Sequence, residues 1–169
     1  MQLPGLSVAL FRMGFGIMWL QMAWSKAPWQ IGPEGRGFNW LYGWIQKEIE
    51  HPTFGFYKAF LQSVVVPNFT LFGYATFFTE IAFGLSLLLG LFTVLGGIGG
   101  ALFQFNIALG SYSVPGEWAW IWFLLIAPHL VFAHSRAGRI LGLDGFLLGR
   151  VSQSAGGPRG ISQLLIRLA

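Results

Sequence analysis

The chain has 169 residues, of which 54% are hydrophobic, 17% aromatic and only 9% charged, with a formal net charge of +4. Soluble domains carry about 25% charged residues, so this composition excludes a self-sufficient soluble protein and describes an integral membrane protein with room for one domain. Cysteine is absent, which removes disulfides, thiolate metal sites and iron–sulfur clusters. The basic excess comes without a basic and aromatic platform for single strands, so it argues for juxtamembrane orientation signals and against nucleic acid.

Four segments have spanning character: Leu6 to Ser25, Phe69 to Leu91, Thr93 to Tyr112, and Glu117 to Ser135. Runs of about 18 or more apolar residues match the thickness of a bilayer core. The first segment carries Arg12 inside its apolar run and lacks a small-x-small cleavage site, so it reads as a retained helix and not a signal peptide. Between the first and second lies a connection of 43 residues, Lys26 to Asn68, rich in Trp, Tyr and Phe. Loops of that length without structure are uncommon, so Asn39 to Glu50 and Phe54 to Val66 are expected as short interfacial helices capping one end of a bundle. The second and third spans join almost directly at Gly90 to Leu95, and the third and fourth through Ser111 to Gly116. The fold class is therefore all-α, an integral membrane four-helix bundle.

After the fourth span the sequence Ala137 to Asp144 (AGRILGLD) reads as a helix stop, with Arg139 and Asp144 placed to pair across a turn. Residues 1–150 form the transmembrane domain and 151–169 a basic tail, in which Ser154 to Pro158 is a break and Ile161 to Ala169 a last amphipathic turn. From Arg136 onward there are five arginines and one aspartate. The positive-inside rule then puts both termini in the cytoplasm and the aromatic cap outside.

The central anomaly is Glu80, the only charged residue of its 23-residue apolar run. A carboxylate at that depth costs roughly 3 kcal/mol or more on insertion scales, so it calls for a partner or a purpose. Counting about 1.5 Å per residue, Arg12 lies roughly 9 Å above its helix end and Glu80 roughly 16 Å from either end of its own. Gln104 and His129 fall near the same level, which predicts a polar slab shared by four helices. Two readings stand for Arg12 and Glu80: a buried pair that fixes helix register, or a site that binds an anionic or quinone-type ligand or relays protons. His129 is either a neutral imidazole bonded to a neighbouring helix or a group that contacts a quinone carbonyl or accepts a proton. Trp118, Trp122, Leu125 and His129 fall on one helical face, suggesting a wall of indole rings above an imidazole. Gln104 and Asn106 point to different sides of their helix, with Gln104 preferred for the slab. His129 and His134 are turned about 140° apart, which disfavours haem, and no flavin, haem or iron–sulfur motif is seen.

The chain resembles the DoxX-like membrane proteins, and among them the DoxD-type small subunit of thiosulfate:quinone oxidoreductase. The resemblance runs over residues 6–148 and is carried by Arg12, Gly16, Trp19 to Lys26, Pro67 to Phe72, Gly90 to Thr93, Pro115 to Trp118 and AGRILGLD. It implies a prokaryotic cell-membrane subunit that works with a second oxidoreductase subunit, oxidising thiosulfate to tetrathionate and passing electrons to quinone. By their depth and helical faces, and not from the resemblance, Glu80, His129 and Arg12 are the candidate catalytic residues, and Trp118, Trp122 and Gln104 the candidate quinone contacts. The rival expectation is a non-catalytic accessory subunit of a larger respiratory or photosynthetic complex, its aromatic surface serving packing and membrane lipid.

Overall fold

The computed structural model describes residues 3–33 and 35–153. The expected break at Ser154 to Pro158 and the terminal amphipathic turn lie outside the described residues. Seven α-helices run in the order α1 (Leu3–Ser25), α2 (Asn39–Glu50), α3 (Gly55–Phe60), α4 (Phe69–Leu89), α5 (Thr93–Ser111), α6 (Ile121–His134) and α7 (Leu143–Gln153). The protein is an all-helical membrane bundle. Helices α1, α4 and α5 are long and apolar enough to cross a membrane. The fourth apolar helix is shorter than the sequence suggests: α6 has 14 residues, because 113–120 fold as turns and bends ahead of it. At about 1.5 Å per residue it covers about 21 Å.

Close approaches between backbones set the register of the bundle. A Cβ at Gly16 would lie 2.8 Å from the Leu88 Cα, and one at Gly84 would lie 3.2 Å from the Gly16 carbonyl oxygen. Only hydrogen fits, so α1 and α4 pack antiparallel with Gly16 beside Leu88 and Leu20 beside Gly84. Continued along the pair, this register puts Glu80 level with Trp24 and Arg12 level with Phe92. Helix α5 meets α6 in the same manner, since a Cβ at Gly97 would come within 2.6 Å of the His129 carbonyl oxygen. Between α4 and α5 the chain reverses at Gly90, whose φ of 64° suits glycine.

The long connection folds over one end of the bundle, as its aromatic content suggests. Phe38, Ile45, Tyr57, Leu61, Val65, Phe69 and Phe77 form one buried cluster with Ala23 and Ala27 at the top of α1. Helix α3 runs on into a π-turn at Leu61–Val65, where the Val66 amide reaches the Leu61 carbonyl at 2.8 Å. Pro67 explains why the helix ends there: it has no N–H to offer the Ser63 carbonyl, and the Asn68 side chain closes the end by donating to the Val64 carbonyl at 2.9 Å. A second buried cluster, Trp19, Leu87, Phe132 and Ala137, fills the bundle toward its other end. That end is closed by the short 3₁₀ turn Ala137–Arg139 and the start of α7.

Candidate functional site

Between the cap and the second cluster lies a cavity of about 470 Å³, bounded by α1, the cap helices, α4, α5 and α6. Its walls are mostly apolar and aromatic, as is usual for small-molecule sites. Trp19 and Leu125 line it together with Trp40, Trp44 and Phe72, and into it face Lys26, Glu48, Glu80, Gln104, Glu117 and Trp122.

Glu80 is fully buried and pairs through Oε1 with the Lys26 ammonium, which is itself buried just beyond the end of α1. The expected pairing with Arg12 does not occur. Glide of α1 against α4 is set by Gly16 and Gly84, and this leaves Arg12 about 18 Å away from Glu80 along the axis. Depth counted from helix ends misses this because the ends do not lie in one plane. Lys26 also sits 5.2 Å from the centre of the Trp40 ring, a distance within cation–π range. The other Glu80 oxygen, Oε2, is buried without a hydrogen-bond partner among the described residues, and so is Trp122 Nε1. Both belong to side chains that line the cavity.

On the cap side, Glu48 of α2 is buried and accepts a hydrogen bond from Ser111 Oγ at 2.5 Å. Ser111 in turn accepts one from Trp44 Nε1 at 2.9 Å. Burial pushes the Glu48 carboxyl up to about 7, against the opposing pulls of Ser111 and Lys26. Nearby, the Tyr57 hydroxyl donates to Asn106 Oδ1 at 3.4 Å. Burial and the neighbouring Glu48 push this phenol up to about 12. A Cβ at Gly110 would press to 2.6 Å from the Glu48 carboxyl carbon, so the bare backbone there makes room for the acid.

Of the residues singled out in the sequence, Glu80, Gln104 and Trp122 meet at this cavity. Gln104 is buried and Asn106 exposed, and both line the cavity. His129 lies behind the cavity floor. Trp19 Nε1 donates to its Nε2 at 2.7 Å, and its Nδ1 contacts the Leu125 carbonyl at 2.6 Å. An indole N–H can only donate and a carbonyl can only accept, so His129 is a neutral imidazole with both nitrogens committed. Trp118 stands before α6 begins, is 63% exposed and stacks beside Trp120. It does not share the Trp122 face, because the helical periodicity assumed for it starts only at Ile121.

Arg12 belongs to the opposite end of the bundle. It is fully buried, donates from Nη2 to the Leu141 carbonyl at 3.0 Å, and is enclosed by Gly90 and Gly142. Asp144 lies close enough to attract it. The two Asp144 oxygens accept the Phe92 and Thr93 amides at 2.7 and 2.9 Å, at the start of α5. Asp144 therefore caps α5, where a carboxylate is favoured by the exposed amides. The expected pairing with Arg139 is not a direct ion pair: Arg139 is exposed and only attracts Asp144 from a distance.

Lys26 and Glu48 were absent from the sequence-derived site. Both lie in the connection, where charged residues read as surface residues, and only the folding of the cap brings them inward. One signal was available: with Arg12 inside the first segment and Lys26 directly after it, either could serve a carboxylate on an antiparallel neighbour.

These features define a membrane-embedded helical subunit with a ligand-sized aromatic cavity that holds an ion pair. A family model described as "TQO small subunit DoxD" matches residues 7–157. The chain belongs to this family, as its motifs suggest. Neither curated proteins nor solved structures give a match.

Proposed function

We propose that the chain is the membrane subunit of a quinone-linked, thiosulfate-oxidising complex, and that the cavity under the aromatic cap receives the quinone head group. The carrying observation is the pair of buried polar atoms without partners among the described residues, Glu80 Oε2 and Trp122 Nε1, in side chains that line a mostly apolar and aromatic cavity. Buried polar groups are normally bonded, so orphaned ones on a cavity wall call for a partner inside the cavity, and a ligand that accepts from one and donates to or accepts a proton from the other would supply it. A quinone offers carbonyl oxygens for Trp122 Nε1 and the Gln104 amide, and a flat ring for the surrounding indoles. The volume falls in the ordinary range of small-molecule sites, about 300 to 1,000 Å³.

Charge argues for the neutral acceptor over the dianionic donor. The cavity faces three carboxyl groups, Glu48, Glu80 and Glu117, against one lysine, which disfavours thiosulfate. The oxidation of two thiosulfates to tetrathionate releases two electrons, and a quinone takes up those electrons with two protons. We therefore assign the sulfur chemistry to a partner subunit, and quinone binding with proton supply to this chain. Arg12 is closed off from any substrate, and His129 supports the cavity floor through Trp19. The arginines after α6 support an orientation with the tail end in the cytoplasm and the cap outside.

The test is purification of the chain with its partner, followed by extraction for quinone and assay of thiosulfate-dependent quinone reduction. Trp122→Phe removes the unpaired N–H and is expected to raise the quinone KM roughly fivefold to tenfold, equal to about 1 kcal/mol of lost hydrogen bonding, without lowering the melting temperature. A complex containing no quinone and reducing none would overturn the proposal and leave an accessory subunit.

A further inference from the structure

Two acids line the cavity together with one lysine, and only Glu80 is foreshadowed by the apolar pattern. Glu48 comes from the cap helix α2, outside the spanning helices, and one of its oxygens is held by Ser111. Lys26 binds Glu80 and also exerts an attraction on Glu48. Glu80 Oε2 carries no hydrogen bond and is fully buried. The charged and titratable groups around Glu48 are Lys26 at the end of α1, Tyr57 of α3, Glu117 before α6, and Lys47 on its own helix, which turns out over Trp44.

We propose that Glu48 is a second proton-transfer group of this cavity, the one that admits protons from the cap side and refills the Lys26–Glu80 pair. The inference rests on the quinone reading above and adds the route of its protons. In each passage the Lys26 ammonium gives its proton to Glu80 Oε1, and the carboxyl group then turns about its Cγ–Cδ bond and releases that proton to the acceptor oxygen. The neutral amine regains a proton from the Glu48 carboxyl through water in the cavity that both side chains line, and water at the cap restores that carboxyl. Two passages supply the two protons that accompany two electrons from the sulfur donor, so charge and atoms balance. The Glu48 carboxyl, poised near neutrality by burial, can both give and regain a proton at ordinary pH, which is the condition for an efficient relay.

Two measurements test this. In the full chain alone, in detergent, infrared titration should show a protonated-carboxyl band that disappears with a midpoint of about 7 in the wild type and is missing in Glu48→Gln. In the purified complex, thiosulfate-driven quinone reduction should fall as pH rises above that midpoint, because the protonated carboxyl is the donor. Glu48→Gln should lower kcat by at least roughly tenfold, remove that pH limb and leave the quinone KM unchanged, with Glu48→Asp restoring part of the rate. Ser111→Ala removes a hydrogen bond that favours the carboxylate, so the limb should move to higher pH even where the rate is retained. Wild-type turnover and an unaltered pH limb in Glu48→Gln overturn the relay, as does a wild-type chain without the carboxyl band. Failure of the wild-type complex to reduce quinone is a different result: it overturns the cavity assignment and, with it, the role of Glu48.

Discussion

Both ends of this bundle bury charge against helices α1 and α4, yet they are built differently. At the cap end, Lys26 and Glu80 pair on the wall of a cavity, and atoms of Glu80 and Trp122 are left without partners there. At the tail end Arg12 Nε and Nη1 and Thr93 Oγ1 also lack partners among the described residues, but there Arg12, Thr93 and Asp144 are packed against Gly90, Gly138 and Gly142 instead of lining the cavity. Non-glycine residues there, Phe92, Arg136 and Leu141, adopt φ values of 51°, 48° and 49°. Such conformations cost of order 1 kcal/mol or more each and persist where the surroundings over-determine them. Buried charge by itself does not mark a site; buried charge beside empty volume does. The tail end is a clasp and the cap end a receptacle.

The largest expected effect separates these roles at the cap. Lys26→Met leaves Glu80 buried without its cation and should destabilise the chain by about 3–5 kcal/mol, read as a fall in melting temperature, and abolish turnover. The double variant Lys26→Met/Glu80→Gln should recover much of the stability but none of the turnover. Full activity in the double variant would reduce the cap pair to a structural element.

At the tail end the opposite pattern is expected. Asp144→Ala strands the Phe92 and Thr93 amides and removes the acid near Arg12, for a loss of about 3 kcal/mol in thermal or denaturant unfolding. The protein that remains folded should keep its quinone KM and its pH profile, since nothing at this end touches the cavity. A changed KM would mean that the two ends are coupled through α1.

The smallest effect concerns the layer between them. His129→Leu orphans the Trp19 N–H and should cost about 2 kcal/mol, while kcat at each pH stays within about twofold of wild type. Loss of a pH limb in that variant would restore the histidine to proton handling.

Much of the architecture could be read directly. The absence of charge from long runs marks the helices, and the aromatic density of 26–68 marks a cap. The site was legible where a residue was anomalous for its own segment: Glu80 in an apolar helix, Gln104 beside small residues. It was not legible where the anomaly arises only on folding. Glu48 sits among Lys47 and Glu50 and looks like part of a solvated helix face, but α2 turns it inward against Gly110. For His129 the sequence left two readings open, and the contact that separates them, the bond from Trp19 of a neighbouring helix, exists only in the folded bundle.

By itself, then, the sequence determined the medium, the helices and the presence of charges that had to be neutralised, because hydrophobicity and desolvation act residue by residue. Only the tertiary structure decided which charges meet. Helix register depends on where glycines let backbones touch, and the contact of Gly16 with Leu88 carries Glu80 to Lys26 and Arg12 to the Asp144 clasp. A shift of a single turn would move each of them by about 5.4 Å, more than the reach of a hydrogen bond.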